Sequence, residues 1–267
     1  MRLARKLARM PKSAAIRFLE RSGRLGTLGS RLTEQHLMHE LYGDPAPAGA
    51  FIGVSAVYPR QVSCPSKWLL DLSSELFVCA RNAPSPLLHD RSVPPDFDCW
   101  PGEHYRLLHA AARVLKPRTV IEFGTYTGLS SLAMLQAMDR DARLVTIDVI
   151  PWDTVPDTVL TSGDFADGRL RQLIGDLTEP GFVAPHVNLL AAADMIFIDG
   201  PKDGKFEPEL FQIFEQVGLK EHCLLIYDDI RLWNMLKFWK SIPRPKMDFT
   251  SLGHWTGTGL VDWTFPH

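Results

Sequence analysis

The sequence predicts an α/β fold: a mostly parallel sheet wound on both faces, closed by a C-terminal antiparallel hairpin and preceded by a helical N-terminal extension. Two observations predict it. Short apolar runs alternate with helical stretches from residue 103 onward, which is typical of parallel sheets covered by helices. Two further strand-like runs then flank Thr256-Gly257-Thr258-Gly259, and this turn-rich spacing indicates a hairpin at the sheet edge.

Composition limits the classes of protein that fit. The chain has 267 residues, 45% of them hydrophobic, which is enough for one full core and an appendage. Its net charge of −2 and pI near 6.5 argue against a nucleic-acid partner. Its apolar runs stay well short of the roughly 20 residues that span a bilayer. The 4 cysteines are widely spaced, which predicts reduced thiols in a cytoplasmic protein.

The N-terminal part, up to about residue 100, differs from the rest of the chain. Before Thr33 it is rich in arginine and lysine, with Glu20 as its one acid, and Leu3, Leu7 and Met10 fall at helical spacing. These features predict a basic amphipathic helix. One interpretation is a surface for an anionic membrane or an acidic partner. The other is a solvated terminal helix or a contact in a homodimer.

The same part of the chain contains further helical segments and a boundary. Helices are predicted over Thr33–Leu41 and Ser66–Arg81. The segment Ala83–Gly102 is rich in proline and predicts a linker or lid. We therefore predict an extension over residues 1–100 and a second domain over residues 101–267.

The second domain begins with a helix that carries Tyr105, Leu108 and Ala112 on one face and ends at Pro117. The first strand, around Val120–Phe123, follows directly. The other predicted strands are Leu144–Ile147, Met195–Ile198 and Leu224–Tyr227, the helices are Leu129–Met138, Phe206–Val217 and Arg231–Lys240, and the hairpin strands are Met247–Trp255 and Leu260–Phe265.

The glycine-bearing turn after the first strand is the strongest ligand signal. Gly124 and Gly128 allow a tight turn with close backbone approach. The helix that follows would present free backbone N–H groups to an anionic ligand group. The glycine spacing is G-x-x-x-G, without the third glycine of a dinucleotide fingerprint. A loop for S-adenosylmethionine fits better.

Acids follow three of the other predicted strands. Asp148 ends the second strand, where a carboxylate can accept both hydroxyls of a ribose. Asp199 and the pair Asp228-Asp229 end two later strands, and together they would form a hard-oxygen site suited to magnesium or a similar divalent ion. Strand-end caps and turn formers are the alternative interpretation.

Four segments carry a family resemblance: Glu122 to Ser131, Val145 to Asp148, Met195 to Asp203, and Tyr227 to Asp229. In this order they resemble the motifs of class I S-adenosylmethionine-dependent methyltransferases with a Rossmann-like fold. The metal-dependent catechol and caffeoyl-coenzyme A O-methyltransferases are the most similar group. The resemblance covers residue 103 to the C-terminus and leaves the N-terminal part uncovered.

The resemblance implies a set of cofactor contacts. Glu122, Gly124 and Gly128 would line S-adenosylmethionine, while Asp148 would hold its ribose. The remaining positions are Tyr126 and Ser130 at the methionine carboxylate and Asp176 near the adenine.

The resemblance also implies the reactive groups. Asp199, Asp228 and Asp229 would ligate a divalent ion, although relatives usually carry asparagine at the last position. Lys202, three residues after Asp199, would be the general base, which requires a pKa well below its reference value of about 10.4. His104, His109 and His254 are weaker candidates, because a lone histidine is more often a surface or core residue.

These features predict a metal-dependent O-methyltransferase that acts on a small hydroxylated molecule of the catechol or phenolic type. A sugar hydroxyl of a natural product is the alternative acceptor. A nucleic-acid methyltransferase is disfavoured by charge and by the lack of an N/D-P-P-Y tetrapeptide. A non-catalytic cofactor-binding protein with a basic arm for a partner or membrane is the alternative of another class.

Overall fold

The computed structural model describes residues 63–83, 103–232, 235–251 and 256–264. The predicted basic helix, the helix over Thr33–Leu41, the proline-rich lid and His254 lie outside these residues, so they stay predictions. The described residues all fall within one compact unit. No helix among them is long and apolar enough to cross a membrane.

Seven strands and seven α-helices form the described part of the domain. In chain order they are α1 (Lys67–Asn82), α2 (Glu103–Leu115), β1 (Thr119–Phe123), α3 (Leu129–Ala137), β2 (Arg143–Asp148), β3 (Leu170–Ile174), α4 (Pro180–Val183), α5 (Val187–Ala191), β4 (Met195–Ile198), α6 (Phe206–Val217), β5 (Cys223–Asp228), α7 (Met235–Ser241), β6 (Lys246–Asp248) and β7 (Thr258–Trp263).

The strands form a single sheet in the order β3-β2-β1-β4-β5-β7-β6. The first five strands in this order are parallel, whereas β7 is antiparallel to β5 and to β6. The predicted fold class is confirmed. The carboxyl ends of β1, β2, β4 and β5 meet at one edge, which is where open α/β sheets bind ligands.

Helices bury both faces of the sheet. Along β1, Val120 packs into a core with α1, α2 and α3, while Ile121 and Phe123 pack into a second core with α6 and α7. This alternation follows from the two-residue period of a strand. Because both faces of the sheet are covered by apolar cores, the sequences of the central strands are continuous hydrophobic runs and do not alternate with polar residues.

The edges of the sheet differ from the prediction. Strand β3 is absent from the predicted strands because its Arg171 and Gln172 interrupt the apolar run; as an edge strand it pairs with β2 alone. The first hairpin strand is also shorter than predicted, since β6 ends at Asp248 and a turn follows. Strand β7 enters between β5 and β6 rather than only capping the edge.

Helix α1 packs on the domain, although its sequence lies in the predicted N-terminal extension. The Ser66 hydroxyl caps α1 by accepting the Leu69 N–H and donates to Asp262 of β7 at 2.5 Å. Cys64 forms an antiparallel bridge with Lys246. The predicted boundary near residue 100 stays a prediction, since residues 84–102 are outside the described ranges.

Candidate active site

A cavity of about 530 Å³ opens at the carboxyl ends of β1, β2, β3 and β4. This volume lies in the range of small-molecule sites. Five of the predicted cofactor and metal residues line it: Gly124, Tyr126, Asp148, Asp176 and Asp199. The cavity is therefore the place where the structure brings residues of the predicted cofactor site together with one predicted metal ligand, Asp199.

The turn Gly124–Gly128, which we call the cofactor loop, requires both of its glycines. Gly124 has a φ of +95° and Gly128 a φ of +86°, in the region that favours glycine. A Cβ at Gly124 would lie 2.4 Å from the Asp199 carbonyl oxygen, and one at Gly128 would lie 2.2 Å from Leu160 Cγ. The backbone of the loop thus packs directly against the end of β4.

Asp148 holds the cofactor loop from the neighbouring strand. Its Oδ2 accepts the backbone N–H groups of Thr125 at 2.8 Å and Tyr126 at 3.1 Å, and its Oδ1 accepts the Ile150 N–H at 3.2 Å. The carboxylate also lines the cavity. The predicted ribose contact stays a prediction, and the structure adds a second role in fixing the loop.

Glu122 and Ser130 lie behind the cofactor loop instead of lining the cavity. Glu122 is fully buried, and its two carboxylate oxygens accept the hydroxyls of Ser130, at 2.5 Å, and Ser131. Because side chains alternate between the two faces of β1, the Glu122 side chain points toward the start of α3. The order of residues in the motif does not show this orientation. Burial raises the pKa of Glu122 to about 7 despite hydrogen bonds from Ser130, Ser131 and Thr146.

The two other cofactor residues differ in their placement. Asp176 lines the cavity, and its Oδ1 accepts both the N–H and the hydroxyl of Thr178. Gly128 does not line the cavity and instead allows the loop to pack against Leu160. Gln172, which the sequence does not single out, braces the site by donating to Thr125 Oγ1 at 3.0 Å and to the Ile150 carbonyl at 3.1 Å.

Asp199, Asp228 and Asp229, which we call the acidic cluster, come together at the ends of β4 and β5. One carboxylate oxygen from each lies within 4.8 Å of the others. Asp228 is buried, and burial together with the charges of Asp229 and Asp199 raises its pKa well above the ordinary value. The predicted convergence of these three side chains is therefore present in the fold.

Lys202 enters the acidic cluster with its ammonium. The residue is 5% exposed; its Nζ donates to Asp199 and, at 2.9 Å, to the Gly200 carbonyl, and lies 3.3 Å from Asp229 Oδ2. Burial lowers the pKa of Lys202, but the charges of Asp199, Asp229 and Asp228 outweigh it, so that its pKa is raised. A general base needs a lowered pKa, so this arrangement favours the protonated ammonium.

The histidines differ in their distance from this cluster. His104 Nδ1 lies 3.7 Å from Asp228 Oδ1, and its ring meets Phe197 edge-on. His109 is buried and contacts the Ala133 carbonyl, which is a structural role.

The Thr256 hydroxyl, just before β7, donates to Asp229 Oδ1. Residue types and spacing in the sequence could not show this contact.

The acidic cluster fits a divalent ion. Its carboxylate oxygens are hard ligands, and oxygens that lie about 2.0–2.6 Å from one ion are at most about 5 Å apart. One oxygen from each of the three residues lies within 4.8 Å of the others, which agrees with this separation. The Lys202 ammonium offsets part of the negative charge of the cluster, and a divalent ion would offset more of it. An ion at this place would share Asp199 and Asp229 with the Lys202 ammonium.

Comparison with known proteins supports the family resemblance of this domain. Residues 121–230 match the family model described as a methyltransferase domain. This match, the sheet order and the antiparallel β7 agree with the class I S-adenosylmethionine-dependent methyltransferase fold that the resemblance implied. No curated protein matches the chain.

Solved structures share the fold at low sequence identity. The SAH-bound methyltransferase PaMTH1 of Podospora anserina is 18% identical, with a TM-score of 0.50, over 80% of this chain and 94% of that chain. The O-methyltransferase TomG of Streptomyces achromogenes, involved in tomaymycin synthesis and solved with SAM, is 18% identical with a TM-score of 0.47, over 80% and 97% of the chains. The similarity to PaMTH1 concerns the fold alone.

Proposed function

We propose that this methyltransferase transfers the methyl group of S-adenosylmethionine to a hydroxyl oxygen of a small molecule, assisted by a divalent ion at the acidic cluster. One observation carries the proposal: Asp199 lines the cofactor cavity and is also a member of the acidic cluster. A methyl donor in the cavity would therefore lie beside the charged groups that can stabilise an oxyanion.

The chemistry needs positioning and charge. Held by Asp199, Asp228 and Asp229, magnesium or a similar ion would supply positive charge that lowers the pKa of an acceptor hydroxyl. Lys202, as an ammonium, would add to that stabilisation. The hydroxyl proton passes to solvent, the oxygen attacks the sulfonium methyl in line, the S–CH₃ bond breaks as the O–CH₃ bond forms, and S-adenosylhomocysteine leaves.

The acceptor that we propose is a catechol or phenolic compound, as the resemblance implies. A net charge of −2 supports a small-molecule acceptor rather than a nucleic acid. The described cysteines, Cys64, Cys79 and Cys223, are free thiols, which supports the cytoplasmic location that we include in the proposal.

A methyl-transfer assay tests the proposal. The purified chain would be incubated with labelled S-adenosylmethionine and a panel of catechols, other phenols and sugar-bearing metabolites, before and after treatment with EDTA and after readdition of magnesium. We expect methylation of a phenolic oxygen that EDTA abolishes and magnesium restores. Full activity after metal removal would refute the metal dependence, and methylation of a sugar hydroxyl alone would replace the acceptor class. Cofactor binding without transfer to any acceptor would refute the enzyme proposal.

A further inference from the structure

The backbone of Lys202 is held in an unusual conformation. Its φ of +57° lies in the left-handed region, which a residue with a side chain rarely adopts. Such a conformation is strained and persists where its surroundings fix it. The Lys202 N–H donates to the side chain of Glu207, with Oε1 at 3.1 Å. This hydrogen bond connects α6 to the segment that carries the lysine.

Glu207 is buried at the start of α6, where an ionised carboxylate is costly. It is fully buried, and burial raises its pKa, while the positive charge of Lys202 opposes that shift. Its Oε2 and the hydroxyl of the buried Tyr227 make no hydrogen bond with the described residues. The fold therefore keeps a costly carboxyl group buried at a place where its Oε1 accepts the Lys202 N–H.

The local sequence leaves room for this contact. A Cβ at Gly200 would lie 3.0 Å from Glu207 Oε1 and 2.5 Å from the ring of Phe206. Any side chain at this position would therefore push against the first turn of α6. With glycine at 200, Glu207 reaches the Lys202 N–H directly, and the lysine side chain points back into the acidic cluster toward Asp199 and Asp229.

We infer that Glu207 is a positioning residue for the transfer reaction: by accepting the Lys202 N–H, it fixes the left-handed backbone that directs the Lys202 ammonium into the acidic cluster. Glu207 itself lies outside the residues that line the cofactor cavity. The inference rests on the proposed function for its catalytic consequence. The placement of Lys202 can be measured independently of any reaction.

The experiment compares two substitutions in the full chain. Glu207→Met keeps the length of the side chain and removes the acceptor, whereas Glu207→Gln keeps an acceptor oxygen. Acylation of Lys202 by an amine-reactive reagent, followed by mass spectrometry, reports whether the ammonium stays protected. In Glu207→Met we expect Lys202 to be acylated about tenfold faster or more, because the local structure opens more readily. Glu207→Gln should stay near the wild-type rate.

Kinetics provide the second readout. Glu207→Met should lower kcat about tenfold or more, because a displaced reacting group loses near-attack geometry. Its KM for S-adenosylmethionine should stay within about twofold, since cofactor binding does not involve Glu207. Glu207→Gln should restore most of kcat. If Glu207→Met does not fold, Glu207→Leu carries the same expectations.

Asp203→Ala is the matched control. Asp203 Oδ1 accepts the N–H groups of Lys205 and Phe206 at the same helix start, whereas the Lys202 N–H donates to Glu207. This substitution should lower the melting temperature and leave Lys202 protected. The inference is overturned if Lys202 stays protected in Glu207→Met, or if Glu207→Gln exposes it. If the wild type methylates nothing, the proposed function fails, while the acylation rates still decide the role of Glu207.

Discussion

The two sides of the site are held by different forces. On the side of β1 and β2, the cofactor loop is fixed by hydrogen bonds from backbone N–H groups to Asp148 and by a buried carboxyl, Glu122, that accepts two serine hydroxyls. On the side of β4 and β5, Asp199, Asp229 and Lys202 interact as ionised groups. Backbone conformation therefore determines the side of the cofactor loop, and electrostatic interactions determine the side of the acidic cluster.

This difference predicts how each side responds to substitution. The side of β1 and β2 depends on which residues fit the torsion angles of the cofactor loop, so substitutions there should change cofactor affinity and stability. The side of β4 and β5 depends on the balance of positive and negative charges in the acidic cluster, so substitutions there should change metal binding and turnover. The four substitutions below, in order of decreasing effect, test this separation.

Gly124→Ala should have the largest effect, because Gly124 is where the two sides touch. The new Cβ would meet the Asp199 carbonyl at 2.4 Å, and the φ of +95° disfavours alanine. We expect loss of about 2–4 kcal/mol in the free energy of unfolding and at least about 100-fold weaker binding of S-adenosylmethionine. Chemical denaturation and titration calorimetry measure the two effects; near-wild-type cofactor affinity would show that the loop tolerates a side chain.

Glu122→Gln should change how stability depends on pH. The pKa of Glu122 is raised from 4.5 to about 7 in the folded state, so between these pH values the folded protein binds more protons than the unfolded chain. The free energy of unfolding of the wild type therefore falls as pH rises through this window, by on the order of 3 kcal/mol from this group. Glutamine does not titrate, so the variant should lose this component.

Urea denaturation at pH values from 4.5 to 8 measures this effect as the difference between wild type and variant. Glu209→Gln, an exposed position on α6, is the control and should keep the pH profile of the wild type. Parallel profiles for wild type and Glu122→Gln would contradict a titrating Glu122.

Asp148→Ala should weaken the cofactor side alone. It leaves the N–H groups of Thr125 and Tyr126 without their acceptor and removes the carboxylate proposed to hold the ribose. Loss of hydrogen bonds to a charged group corresponds to about 10- to 100-fold weaker binding of S-adenosylmethionine. Titration calorimetry of the cofactor measures it, and the affinity for Mn²⁺ should not change. Unaltered cofactor affinity would remove Asp148 from the binding site.

Asp229→Asn should have the smallest effect and should act on the charged side alone. It removes a charge that faces Lys202 at 3.3 Å while keeping an oxygen that can accept the Thr256 hydroxyl. We expect about tenfold weaker binding of Mn²⁺, because fewer ligand charges lower affinity for a divalent ion. The affinity for S-adenosylmethionine should stay within about twofold. A large loss of cofactor affinity would show that the two sides are not separate.

The central elements of the fold could be predicted from the sequence because both of their faces are buried. The apolar run Met195–Ile198 and the helix Phe206–Val217 occur with the predicted bounds. The edges could not be predicted as well: β3 carries Arg171 and Gln172, and β6 has three residues. An edge strand is held by pairing with a single neighbouring strand. Its own residues therefore need not form the apolar pattern from which a strand is predicted.

The candidate site shows the same division. Asp199, Asp228 and Asp229 could be placed together because parallel strands end at one edge of a sheet. Lys202 was identified through the family resemblance, but the sign of its pKa shift depends on three carboxylates around it. Glu207 was missed, because nothing in its local sequence shows that it is buried beneath the Lys202 backbone.

The sequence by itself determined the parallel sheet, the glycine turn of the cofactor loop and the acids at the strand ends, since these follow from periodicity and from local backbone requirements. Only the tertiary structure decided which way Glu122 faces, what Asp148 holds and which charges surround Lys202. The physical reason is that hydrogen bonds and electrostatic interactions depend on distances between residues far apart in the chain, and these distances exist only once the sheet has assembled.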